Sequence, residues 1–174
     1  MYAREWGAAV LLAGSLACNE GLQPTPVCPV GFVGVCGTVT YQSQLPDSLK
    51  DSTQNVFIIA YATFPASTND LFTFQPRPLP LSIPAAASSY FYALPLPPGR
   101  YEWVLAVWQK KSTSPLSPQN ADSLLREVGF YRRGPDTTSH GSGIVTVSGA
   151  TGPIDFVIDF GHMHRICDYF PPCP

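Results

Sequence analysis

From position 35 onward, apolar and polar side chains alternate with a period of two, the repeat of a strand that buries one face. The stretch 35–42 (VCGTVTYQ) sets Val35, Val39 and Tyr41 on one face and Thr38 and Thr40 on the other. The stretch 89–96 (SYFYALPL) alternates Tyr90, Tyr92, Leu94 and Leu96, with Pro95 suited to an edge. In 154–160 (IDFVIDF), Ile154, Phe156, Ile158 and Phe160 are expected to point inward and Asp155 and Asp159 to water. Two stretches, 56–64 (VFIIAYATF) and 100–109 (RYEWVLAVWQ), are apolar on both faces, as expected of central strands. A strand over 125–132 follows a helical turn at 120–124, and the β-branched 143–148 (GIVTVS) adds a seventh. No segment sustains an apolar period of 3.6. Short strands separated by Pro and Gly predict an all-β fold, a small antiparallel β-sandwich of about seven strands.

Composition narrows the class. Of 174 residues 19 are proline, against a usual share of about 5%. Only 13% are charged, where about 25% is typical, while 45% are hydrophobic and 12% aromatic. A coiled coil needs many charges, a charged disordered chain few aromatics, and a collagen a glycine at every third position; all three are excluded. The net charge of −2 offers no handle for nucleic acid. Trp103, Trp108, Phe57 and Tyr101 lie within strands and are expected in the core, with a sugar-binding platform as the alternative use. The Pro-rich 70–84 (DLFTFQPRPLPLSIP) is expected to be a loop folded back over the sandwich, the alternative being an exposed contact surface for a protein partner.

The first residues read as an address. In MYAREWGAAVLLAGSLAC, Arg4 precedes an uncharged stretch too short to span a bilayer but suited to a signal h-region. The segment resembles a bacterial lipoprotein signal, which implies cleavage after residue 17 and lipidation of Cys18; the alternative is plain secretion with cleavage near Ala17. Residues 18–33 then form a Pro/Gly-rich tether, 34–160 the sandwich, and 161–174 a tail containing Cys and Pro. Cys28, Cys36, Cys167 and Cys173 remain, an even count that suits disulfides in an oxidising compartment. They flank the sandwich, so pairing staples its ends; three connectivities are open.

The run Leu96-Pro97-Pro98-Gly99-Arg100-Tyr101 before an apolar strand resembles the L-P-x-G-x-Y hairpin of transthyretin-like and carboxypeptidase-regulatory-like domains. Gly37-Thr38-Val39 is similar to their opening strand, and 154–160 fits their closing one. The resemblance implies a prealbumin-like sandwich with a structural or binding role on a lipoprotein, and no catalysis.

Candidate chemistry is sparse. His162 and His164 share a face if the chain is extended and form the candidate metal pair, with Asp159, His140 or Asp168 as a third ligand. The same pair is similar to the H-x-H of intradiol dioxygenases, which bind iron, although Asp159, Phe160 and Gly161 stand where that family has Arg and Pro. No G-x-S-x-G elbow and no phosphate-binding loop is present. Arg132-Arg133-Gly134 reads as a charged turn. The expectation is an exported, lipid-anchored cell-envelope protein, an accessory subunit or binding module without cofactor or enzymatic activity. A metal-binding protein using His162 and His164, or a carbohydrate-binding module, is the alternative.

Overall fold

The computed structural model describes residues 27–134 and 136–173. The signal-like segment and Cys18 lie outside the described residues. The architecture is an all-β sandwich. Its first sheet is built on β1 (Gly34–Ser43), flanked by β4 (Ser89–Pro95) on one side and by β10 (Phe156–Asp159) on the other, with the short β9 (Ala150–Thr151) also on β1. The second sheet runs β11 (His164–Arg165), β7 (Leu125–Phe130), β6 (Trp103–Lys110), β2 (Thr53–Tyr61), β3 (Leu81–Ile83). A separate ribbon pairs β5 (Gly99–Tyr101) with β8 (Val145–Val147).

Alternation built the first sheet as expected. Val35, Val39, Tyr92, Leu94, Phe156 and Ile158 all face the interior, where they meet Ile58, Val104, Ala106 and Val128 of the second sheet. Three features differ from the sequence reading. β10 and β9 run parallel to β1, a direction that a period of two does not encode. The expected strand 100–109 is two strands, broken at Glu102, whose backbone N–H bonds to Tyr61 and whose carboxylate accepts the Phe64 N–H and pairs with Arg100. The short strands β3, β9 and β11 were not anticipated, since two or three residues carry too little periodicity to be seen.

β2 and β6 are apolar on both faces because both faces are covered. Their outer face presents Phe57, Ile59, Trp103, Leu105 and Val107 to a second core. Its roof is the 3-10 turn Thr68–Thr73, which buries Leu71 and leans Phe72 and Phe74 inward, together with Tyr169 and Phe170 from the C-terminal segment. The Tyr61 hydroxyl donates to the Leu71 carbonyl at 2.7 Å and fastens that roof. The Pro-rich stretch thus folds back over the sheet, apart from its exposed tip at Leu79. Each large apolar side chain so covered contributes roughly 1.5–3 kcal/mol. In the LPPGRY turn, buried Tyr101 donates its hydroxyl to the Pro97 carbonyl at 2.9 Å and closes the corner between β4 and β5.

Of the three disulfide connectivities, the two local bonds are formed: Cys28–Cys36 and Cys167–Cys173. Neither crosses the sandwich, so each staples one end of the chain to itself. Cys36 lies buried in β1, which fixes the stretch from Cys28 onward to the sheet. The segment after Phe160 is likewise no free tail: β11 extends the second sheet, and Ile166 and Cys167 are buried in the 3-10 turn Ile166–Asp168.

Candidate functional site

A cleft of about 460 Å³ lies where the edges of the two sheets meet. β7 and β10 come together at Gly129, whose φ of +157° and close approach to the Val157 carbonyl leave no room for a side chain. Beyond this contact the strands diverge. The outer face of β1 and β10 gives one wall, with Thr40, Gln42, Asp155 and Asp159; the end of β7 and β11 give the other, with Arg132, Arg133 and His164. His162 closes one end.

Glu127 is the organising residue. It sits on the apolar outer face of β7, opposite Val107, and is only 2% exposed. Its Oε2 accepts a hydrogen bond from the Tyr169 hydroxyl at 2.7 Å and lies 2.6 Å from His164 Nδ1. Both partners come from the C-terminal segment, so the buried carboxylate holds β11 and the following turn in place. Burial, and then the Glu127 charge, push the Tyr169 phenol well above its ordinary range. Asp159 plays the matching part at the rim. It accepts from Ser43 Oγ at 2.5 Å and the Gly161 N–H at 2.8 Å, and His162 Nδ1 lies 2.8 Å away. The bond from Ser43, followed by the one from His162, lowers its carboxyl from 3.8 to about 2. Asp155 Oδ1 accepts the Thr38 N–H at 2.6 Å.

The bases of the cleft are not used up in this way. Arg132 sits over the Phe130 ring, its guanidinium carbon 3.7 Å from the centroid. Among the described residues neither Arg132 nor Arg133 has a carboxylate partner, and the Nε2 atoms of His162 and His164 have no hydrogen bond. No family model matches the chain, and neither a curated protein nor a solved structure is similar to it at a significant level. The site therefore has to be judged on its own geometry.

His162 and His164 do share this cleft, but each ring is tied through Nδ1 to a different carboxylate. Among the described residues no third ligand atom gathers with them. Asp159 is spent on His162, His140 stacks on Phe64 at 3.8 Å beside a different hollow, and Asp168 accepts the Arg165 N–H next to the Cys167–Cys173 bond. Among the described residues the one cluster of three potential metal donors, Cys167, Asp168 and Cys173, has both sulfurs engaged in that disulfide. Trp103 and Trp108 are buried, so they offer no platform for a sugar ring, and Phe57 and Tyr101 are buried with them. Sequence reasoning passed over Glu127 and Tyr169 and read the two arginines only as a charged turn. Glu127 left one signal: a lone carboxylate on a face shared with Leu125 in an apolar strand.

Proposed function

We propose that the protein is an exported cell-envelope binding module, held at a membrane through lipid on Cys18 and without catalysis of its own. The observation that carries the proposal is the pair of disulfides, Cys28–Cys36 and Cys167–Cys173, at the two ends of a chain that starts with a signal-like segment. Such bonds persist in oxidising compartments and are rare in the cytosol. They also fit a small sandwich with few charged residues, which gains from covalent closure of its ends. Neither carboxylate-held imidazole bonds to a serine, threonine or cysteine among the described residues, so no imidazole-activated nucleophile is formed at this cleft. Mass spectrometry of the mature protein tests the reading. The expected result is Cys18 as the first residue with a mass increment of acyl chains. A retained Met1, or an unmodified Cys18, overturns the anchor.

A further inference from the structure

The stretch 27–33, expected as part of the tether, is a fixed turn. The Cys28–Cys36 disulfide ties it to β1. The Phe32 N–H donates to the Pro29 carbonyl at 3.1 Å, and Gly31 takes the positive φ of +76° that such a turn requires at its third residue. The Phe32 ring lies against Gly34. What this turn presents to solvent is apolar. Among the described residues five large apolar side chains are exposed, and three of them, Val27, Val30 and Val33, lie in this stretch. Its surroundings are uncharged. The Val33 carbonyl accepts the Leu96 N–H, and Gly34 pairs with Pro95 of β4 and Ala150 of β9, so exposed Pro95, Pro97 and Pro98 stand beside the turn. The three segments that meet here, 27–46, 78–99 and 141–154, hold no Asp, Glu, Lys, Arg or His, in a chain with 13% charged residues. The bordering charges are Arg100, which pairs with Glu102, and Asp155, which accepts the Thr38 N–H. At the other end of β1 the character reverses. Exposed Asp47, Lys50 and Asp51 follow the strand, next to Lys110 and Lys111, and the Lys111 N–H bonds to the Ser52 carbonyl.

Resting on the lipid anchor proposed above, we propose that this turn and the adjoining Pro95–Pro98 corner are the face that the protein lays on the bilayer, with Val27, Val30 and Val33 entering the interfacial layer. An exposed apolar patch marks a contact with a protein or a membrane, and two observations select the membrane. The first is reach. Val27 is nine residues after Cys18, and nine residues span at most roughly 30 Å. A domain of this size is roughly 40 Å across. A lipid on Cys18 is therefore too close to let the opposite, charged end rest on the membrane with this face turned away. The second is polarity. The turn carries no charge to desolvate, Pro29 has no N–H to leave unpaired, and the Phe32 N–H is already bonded. With no lysine or arginine in the turn, the contact owes nothing to anionic headgroups.

The test is the fluorescence of a Val30→Trp variant of the full chain, held on phosphatidylcholine vesicles through Cys18, the one cysteine outside the two disulfides. Attachment is by its own acyl chains or, where Cys18 proves unmodified, by coupling its thiol to a maleimide lipid. The unsubstituted chain, whose Trp103 and Trp108 are buried, supplies the background. The added indole is expected to shift its emission to the blue and to lose most of it to brominated acyl chains. Lys111→Trp, at the opposite end, should keep its solution spectrum, and added phosphatidylglycerol should change neither. Hydrogen exchange of the unsubstituted chain keeps the test open if a variant misfolds: the amides of Val30, Gly31 and Val33 are expected to slow severalfold on vesicles, and those of 112–114 to stay unchanged. A solution-like spectrum at both positions, equal quenching at both, or quenching that needs phosphatidylglycerol overturns the proposal. So does protection of the turn that rises with protein concentration in the absence of vesicles, which would assign the face to a second copy. The mass of Cys18 decides the anchor and the quenching decides the face, so either can fail alone.

Discussion

At the scale of single residues, Glu127 and Asp159 of the cleft do different work. Glu127 is buried with two donors, so truncation strands both. Glu127→Ala is expected to cost about 1–3 kcal/mol in urea unfolding, because the Tyr169 hydroxyl and His164 lose their acceptor. Glu127→Gln, which keeps an acceptor oxygen, should cost less. Asp159 contributes through its lowered carboxyl. The folded state holds the group at about 2 against 3.8. Its stabilisation is therefore complete above the unfolded value and is lost as pH falls from about 4 towards 2. Stability measured across that window should drop in the native chain, and the drop should be shallower in Ser43→Ala, which removes the strongest bond to the carboxylate. An unchanged slope in that variant would contradict the assignment.

At the scale of elements, the C-terminal segment is the instructive case. It is short, Pro-rich and weakly patterned, yet it forms β11, roofs part of the second core and contributes His164 and Tyr169 to the cleft. Several fastenings act together: Glu127, the Cys167–Cys173 bond, and Asp122, which accepts the Cys167 N–H and pairs with Arg165. Burial opposes ionisation of Asp122, but Arg165 and the Cys167 N–H outweigh it and hold the carboxyl below its usual range. Removing the disulfide by changing Cys167 and Cys173 to Ser is expected to cost about 2 kcal/mol, the loop-closure figure for so short a loop. The loss should register as faster proteolysis between residues 161 and 173, with the sandwich intact. The strands β1, β4 and β10 were legible from alternation and β2 from an apolar run, and β7 was expected after a helical turn, which is the short helix Ala121–Leu124. β3 and β11 were not, because such short strands are fixed by the neighbour they pair with.

At the scale of the whole molecule, two cores share one sheet. The inter-sheet core is closed by the long strands, while the outer one is roofed by a loop and the C-terminal segment. Opening the roof exposes less surface than parting the sheets, so the two regions should differ in local stability. In native-state hydrogen exchange, amides of β1, β2 and β6 are expected to exchange only through global unfolding. Those of β11 and the 3-10 turn Thr68–Thr73 should exchange through smaller openings. Equal protection throughout would mean that the roof and sandwich unfold as one unit.

Alternation along the chain determined the all-β class and the inward set of the first sheet, and unbroken apolar runs the expectation that β2 and β6 are covered twice. These are properties of neighbouring residues, and the local pattern encodes them. Tertiary structure alone decided what covers the second face, that β10 runs parallel to β1, and which cysteines pair. It also decided that Arg132 and Arg133, read in the sequence as a turn, stand across from Asp155 and Asp159 and beside two imidazoles. Such convergence depends on contacts between residues far apart in the chain, for which one-dimensional pattern holds no signal.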